Sequence, residues 1–206
     1  MVALSIAFLL FDSSLFSWHP LFMSIGYVLF MTEGLLAAIM FRHLDGPERV
    51  AAIQSHAIMQ IRALVCIVIG FVVIYQNKVQ HNKRHFQSTH SQVGLATLVL
   101  TVLAPLGGAI SFKRLGLIHR FPEVWHSRIK WLHRKLGVCV WLLALVTIEL
   151  ALPHPSVRKA LLTPLWQAGV ALVGVLLLAI AAKAQVKFKQ DDADAPGHDH
   201  MTAKAV

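Results

Sequence analysis

Apolar residues in this chain gather into long unbroken blocks instead of alternating with polar ones. Five blocks, residues 18–41, 56–75, 91–111, 133–152 and 165–182, reach the length of about 18 residues or more that carries a helix across a hydrocarbon core of about 30 Å. The pattern predicts five complete spanning helices and therefore an all-α, polytopic membrane helix bundle. The opening stretch MVALSIAFLLF, residues 1–11, is apolar too, but eleven residues of helix rise only about 16 Å. It is expected to be an N-terminal fragment of an additional helix. A secretory signal peptide is the competing assignment, and it lacks its basic n-region, since no Lys or Arg precedes Arg42. From 187 onward the chain turns polar, KFKQDDADAPGHDHMTAKAV, which divides it into a membrane domain over 1–186 and a tail over 187–206 expected to be disordered.

Composition agrees with the pattern. Of 206 residues, 56% are hydrophobic and 14% charged, against about a quarter charged in a soluble domain. The net charge of +9 does not mark a nucleic-acid binder, because the basic residues flank apolar blocks instead of lying among aromatics on a soluble face. Topology accounts for them. Five alternating spans leave Lys78, Lys83, Arg84, Arg158 and Lys159 on the face where the first span begins, and eleven basic residues, including Arg42, Arg49, Lys113, Arg114, Arg120, Arg128 and Lys130, on the other. The excess of positive charge puts that second face, and with it the C-terminus, in the cytoplasm. Trp18, Trp125, Trp131 and Trp166 fall near predicted span ends, as interfacial aromatics do. Cys66 and Cys139 lie inside apolar runs and form no C-x-x-C or C-x-x-C-H pattern, so neither disulfides nor covalent haem attachment is suggested.

The candidate chemistry lies in four of the twelve histidines. The other eight fall in loops or the tail, where solvation explains them. His19, His56, His90 and His133 each stand at the predicted opening of one of four consecutive spans. Because successive spans run in opposite directions, His19 and His90 share one membrane depth and His56 and His133 share the other. A single histidine at a span end is explained by snorkelling to water; four in step with the alternation call for partners. Two neutral imidazoles facing each other across a bundle close both axial positions of a haem iron, so two pairs imply two haems. Zinc is the rival, but a structural zinc site draws four ligands to one point, and these histidines divide between two depths. Without C-x-x-C-H the haems are expected to be of b type, and bis-histidine ligation suits electron transfer over oxygen activation. Gly94 and Gly137, four residues after His90 and His133, and Gly26, seven after His19, are expected to make room for a flat macrocycle. Pro20, directly after His19, is expected in the first turn of its helix.

At this point SLFSWHPLFM followed by MTEGLL, HSQVGLAT from the third histidine and LHRKLGV around the fourth resemble the eukaryotic cytochrome b561 family, in particular its short, cytochrome b561 domain-containing branch of transmembrane reductases, over residues 5 to 180. The resemblance implies a four-helix core holding two b haems, with ligands paired second helix to fourth and third to fifth in a six-helix chain. It further implies ascorbate as the cytoplasmic electron donor, monodehydroascorbate or ferric chelates as acceptor on the opposite side, an endomembrane such as the endoplasmic reticulum or a vesicle as location, a surround of membrane lipid, and room for a homodimer. Relatives in that branch have a complete first helix, so this chain looks shortened there.

An anionic donor calls for basic groups near the cytoplasmic histidines, and Arg49, Arg62, Arg128, Lys130, Arg134 and Lys135 lie near His56 or His133 in sequence. Arg62, six residues into a predicted span, is expected to meet a haem propionate or a bound anion. On the other face Lys83, Arg84 and His85 are candidates for an acceptor or a propionate, with plain solvation as the alternative. Gln60, one turn after His56, is a candidate hydrogen-bonding group behind that ligand, and Glu33 is expected to find a polar partner at depth. Two other functions fit the same residues: a di-haem cytochrome b subunit serving a partner dehydrogenase, and a transporter whose histidines relay protons or bind metal ions.

Overall fold

The computed structural model describes residues 11–40, 44–151 and 162–194. Five helices in it are long and apolar enough to cross a membrane, and no strand occurs among the described residues. They are α1 (Leu15–Met40), α2 (Gly46–Gln80), α3 (Thr89–Ser111), α4 (Glu123–Glu149) and α5 (Leu162–Asp194). The apolar fragment expected over 1–11 lies, but for Phe11, outside the described residues. So does 195–206 of the predicted tail, while 187–194 continue α5.

Local sequence sets the helix starts. Ser14 caps α1 by accepting from the Ser17 backbone N–H at 3.2 Å, a side-chain bond that satisfies one of the free donors of the first turn. The helix therefore begins at Leu15, and Pro20 falls in its second turn and not its first. α3 opens with a full capping box between Ser88 and Ser91, placing His90 in the first turn. α2 begins with Pro47 and Glu48 in its first turn and α4 with Glu123, residues that suit a helix N-terminus sterically and electrostatically.

Both α2 and α4 start ten residues before the predicted spans. GPERVAAIQS and EVWHSRIKWL are too polar to count as apolar block yet rich in helix formers, so the helices project past the hydrocarbon. His56 and His133 consequently stand ten residues inside their helices and not at the openings.

α1 packs along α2, and α3 along α4, as two antiparallel hairpins; α2 also meets α3, and α4 meets α1. The core thus closes as a ring in chain order, leaving α1 and α3 on one diagonal and α2 and α4 on the other. α5 lies outside the ring against α4 and the C-terminal part of α1. Tyr27, Val28, Met31, Ile67, Val140, Trp141 and Val170 are buried between helices, while Val65, Val99, Leu103 and Leu172 face outward, toward hydrocarbon.

In lipid, apolar surface gives helices no reason to associate; close packing and interhelical hydrogen bonds do. Tyr27 Oη and Thr101 Oγ1 share a hydrogen bond of 3.0 Å, Thr97 and Thr147 hydroxyls one of 3.1 Å, and the Trp141 indole N–H donates to Thr32 Oγ1 at 3.0 Å. One departure from α geometry sits among these contacts: Ser24–Met31 in the middle of α1 is wound as a π-helix.

Candidate haem-ligand pairs

Each of the four histidines is half-buried, and they meet in two pairs. The His19 and His90 ring centroids lie 6.2 Å apart with planes at 79°, and those of His56 and His133 6.4 Å apart at 78°. The first pair spans the α1/α3 diagonal and the second the α2/α4 diagonal, at opposite ends of the bundle.

Three of the rings are locked by main-chain acceptors. His19 Nδ1–H donates to the Gly70 carbonyl at 3.0 Å, His56 Nδ1–H to the Gly34 carbonyl at 2.7 Å, and His90 Nδ1–H to the Thr147 carbonyl at 2.8 Å. A carbonyl can only accept, so Nδ1 must carry the proton and Nε2 the lone pair, which is the tautomer of a metal-ligating imidazole whose other nitrogen is tied down. His133 Nδ1 is buried without a hydrogen bond; the Ala104 carbonyl faces it short of hydrogen-bond geometry.

The rings fit a haem iron. Two metal–imidazole bonds of about 2 Å each, plus the two half-rings, separate the centroids by about 6 Å, as both pairs are separated here. No group of three or more His, Cys, Asp or Glu converges anywhere among the described residues, so a closed zinc site finds no ligand set. A pair of this kind would offer both its imidazoles to one iron, an arrangement that suits electron exchange over oxygen activation.

Of the three glycines expected to leave room for a macrocycle, two are occupied by helix packing. Gly26 packs against Ile67 and the Ala63 carbonyl, and Gly94 against Thr147; both serve helix contacts, and only Gly137 borders open space. At His133 the close neighbours are Gly107 and Gly108 of α3, where an added Cβ would lie 3.3 Å from Nδ1 and 3.2 Å from Cε1. The Pro105-Leu-Gly-Gly108 run was the available signal for them. Gln60 does not bond His56; its amide donates to the Met31 carbonyl at 3.3 Å. Glu33 is exposed, with no hydrogen-bond partner among the described residues.

Basic groups collect at the His56/His133 end. Lys130 lies within electrostatic reach of Lys113, Arg134 and Arg49, a cluster drawn from three segments, and Lys113 is a member the sequence did not single out for it. Arg128 sits over the Trp125 ring, its Cζ 5.4 Å from the centroid, and Lys135 is exposed on the same helix. Arg62 is exposed, with no ion-pair or hydrogen-bond partner among the described residues. At the other end His85 stacks on Tyr75 with centroids 4.3 Å apart, and Lys78 Nζ–H donates to the Arg84 carbonyl at 3.4 Å. Lys78 also lies within electrostatic reach of His19, while Lys83 is exposed in the loop.

Comparison with known proteins gives the family. The family model for eukaryotic cytochrome b561 matches residues 18–157, a stretch that contains all four histidines. The chain is similar to the transmembrane reductase CYB561D2 of Mus musculus, with 30% identity over 146 residues, 68% of this chain and 62% of the relative. It is similar also to the probable transmembrane reductase CYB561D1 of Mus musculus, 32% identical over 148 residues, 68% of this chain and 60% of that one. The transmembrane ascorbate ferrireductase 2 of Arabidopsis thaliana is 29% identical over 133 residues, 65% of this chain and 54% of the relative. The matches thus span about three fifths of the length of the first two relatives.

Proposed function

Since this chain belongs to the eukaryotic cytochrome b561 family and is an integral membrane protein, we propose that it is an oxidoreductase that passes electrons across the bilayer, from ascorbate at the His56/His133 end to monodehydroascorbate or a ferric chelate at the His19/His90 end. Two b haems, when bound, supply the one-electron redox chemistry. His19 with His90 and His56 with His133 would hold them, and main-chain acceptors keep the imidazoles of His19, His56 and His90 in the ligating tautomer. His56 and Gly70 lie fourteen residues apart on α2, so the two pairs stand about 21 Å apart along the helix axis, one toward each side of the hydrocarbon.

Arg49, Lys113, Lys130 and Arg134 draw the anionic donor to one end, where focused positive charge raises its local concentration. That end is cytoplasmic by the distribution of Lys and Arg. Lys78, Lys83, Arg84 and His85 border the exit, and an endomembrane is the location proposed for the protein. Arg62, exposed on α2, is the group proposed to meet a haem propionate or a bound anion.

The observation that carries the reading is the meeting of the four histidines in two diagonal pairs. Reduced-minus-oxidised spectroscopy of the purified chain with ascorbate tests it. Two b-type α-band components are expected, with His19→Ala and His90→Ala abolishing one and His56→Ala and His133→Ala the other. A protein without a Soret band, or four replacements with four unrelated outcomes, would overturn it.

A further inference from the structure

The two hairpins obey one rule. His19 of α1 bonds the carbonyl of Gly70, fourteen residues after His56 on α2, and His90 of α3 bonds that of Thr147, fourteen after His133 on α4. Fourteen residues make nearly four α-helical turns, so the histidine and the carbonyl of one helix share a face. In the reverse direction Ala104, which faces His133, is again fourteen residues after His90. The fourth case breaks the count: His56 bonds Gly34, fifteen residues after His19.

In an unbroken α-helix the additional residue would turn the Gly34 carbonyl by about 100° from the fourteen-residue position, to about 60° beyond the histidine instead of about 40° short of it. The π-helical segment Ser24–Met31 lies between the two positions. Bonds running from i to i+5 place an extra residue in the turn, so the helix beyond Met31 keeps its direction. We propose that Ser24–Met31 is a register device: it absorbs the fifteenth residue and holds the Gly34 carbonyl where it orients His56, making Gly34 and Gly70 reciprocal positioning residues for the histidines of the neighbouring helix. The proposal rests on the reading of the four histidines as haem ligands.

The surroundings of the segment are built to keep it. Thr32 Oγ1–H donates to the Tyr27 carbonyl at 3.3 Å, Gln60 Nε2–H to the Met31 carbonyl at 3.3 Å, and the Trp141 indole N–H to Thr32 Oγ1. Gln60 comes one turn after His56, so the helix that presents the histidine also grips the end of the π segment. Helix approach is tight at both carbonyls. A Cβ on Gly34 would lie 2.5 Å from Gln60 Nε2 and 3.3 Å from Met59 Cβ, and one on Gly70 3.2 Å from Phe22 Cβ.

The test compares two one-residue deletions in the full chain, reading haem per polypeptide and the low-spin EPR signal of each site, with the signals assigned through His19→Ala and His56→Ala. Deleting Leu29, inside the π segment, restores a count of fourteen in plain α-helix, and both bis-histidine signals are expected to survive. Deleting Leu142, between His133 and Thr147, has no π turn to draw on and is expected to remove the His19/His90 signal. Equal loss from both deletions overturns the proposal.

Should a deletion prevent folding, Gly34→Ala and Gly70→Ala carry the test. Gly34→Ala is expected to shift the His56/His133 signal alone and Gly70→Ala the His19/His90 signal alone. Equal shifts at both sites, or none, overturn the register device while the ligand reading stands. A wild-type chain without bis-imidazole signals overturns both.

Discussion

Replacing Trp141 by Phe probes how the ring of helices is held, and the structure gives the size of the effect. Trp141 is fully buried, and its indole N–H donates to Thr32 Oγ1 across the α1/α4 contact at 3.0 Å. In water, transfer of the lost atoms to solvent would dominate, but a helix leaving this bundle meets lipid as apolar as its neighbour. What remains is the void and the hydrogen bond. The void, roughly 40 Å³ for the pyrrole atoms, is worth about 1 kcal/mol at about 24 cal/mol per Å³. The hydrogen bond adds about 0.6 kcal/mol, the mean between membrane helices, with about 1.7 as the upper end. Thr32 still donates to the Tyr27 carbonyl, so no donor is orphaned and the lower figure applies. The expected destabilisation of Trp141→Phe is about 1.6 kcal/mol, somewhat over tenfold in the unfolding equilibrium. Reversible SDS unfolding of the full chain in mixed micelles, monitored by circular dichroism, measures it. A double-mutant cycle with Thr32→Val isolates the bond, with an expected coupling of about 0.6 kcal/mol. A Trp141→Phe chain as stable as wild type, or a coupling of zero, would refute the reasoning.

Ser88→Ala removes the capping box of α3 and is expected to cost about 1 kcal/mol of helix stability, visible as faster amide exchange in the first turn around His90 with α2 unaffected. Charge reversal is unnecessary to test the basic cluster: Lys130→Gln with Arg49→Gln is expected to raise the KM for ascorbate several-fold and to flatten its dependence on ionic strength, measured by stopped-flow haem reduction, because fewer charges remain to be screened. Asp12 accepts hydrogen bonds from Ser14, which hold its carboxyl below the ordinary value of 3.8. A depressed carboxyl favours the folded turn at pH above its ordinary value and loses that contribution as pH falls through the lowered one. An NMR titration is therefore expected to show a midpoint below 3.8 that rises in Ser14→Ala.

The helices and the histidine pairs were legible because both arise from coarse periodicities. An apolar block of span length announces itself residue by residue, and alternating helix direction converts four positions along the chain into two depths. The groups that orient the histidines were not legible. A main-chain carbonyl is present at every residue, so nothing in the letters Gly34, Gly70 or Thr147 marks them as acceptors; only the helix contact selects them. Gln60 illustrates the same limit. Its spacing from His56 suggested a bond to that ring, yet the amide donates to the Met31 carbonyl on the neighbouring helix instead. Helix starts in α2 and α4 were misplaced for a different reason, since hydropathy reports where lipid ends and helix propensity does not stop there. Lys113 joined the basic cluster through the return of the α3–α4 loop, a tertiary proximity with no local signature.

The hairpin rule also explains why the proposed ligands lie on diagonals and their acceptors on edges. A histidine that bonded a carbonyl on the diagonal helix would have that helix's backbone in the space between the two rings, and no planar group could enter. By taking their acceptors from the adjacent helix of their own hairpin, His19, His56 and His90 are fixed from the side, and their lone pairs remain available across the diagonal. Edge contacts must then be close enough for a 2.7 to 3.0 Å bond, which is where Gly34 and Gly70 stand on the tighter hairpin. Each hairpin carries one ligand for each end of the membrane, so neither end can be assembled from one hairpin alone. Docking of the two hairpins and completion of the two sites are therefore one event, and binding at either site stabilises the whole ring by mass action.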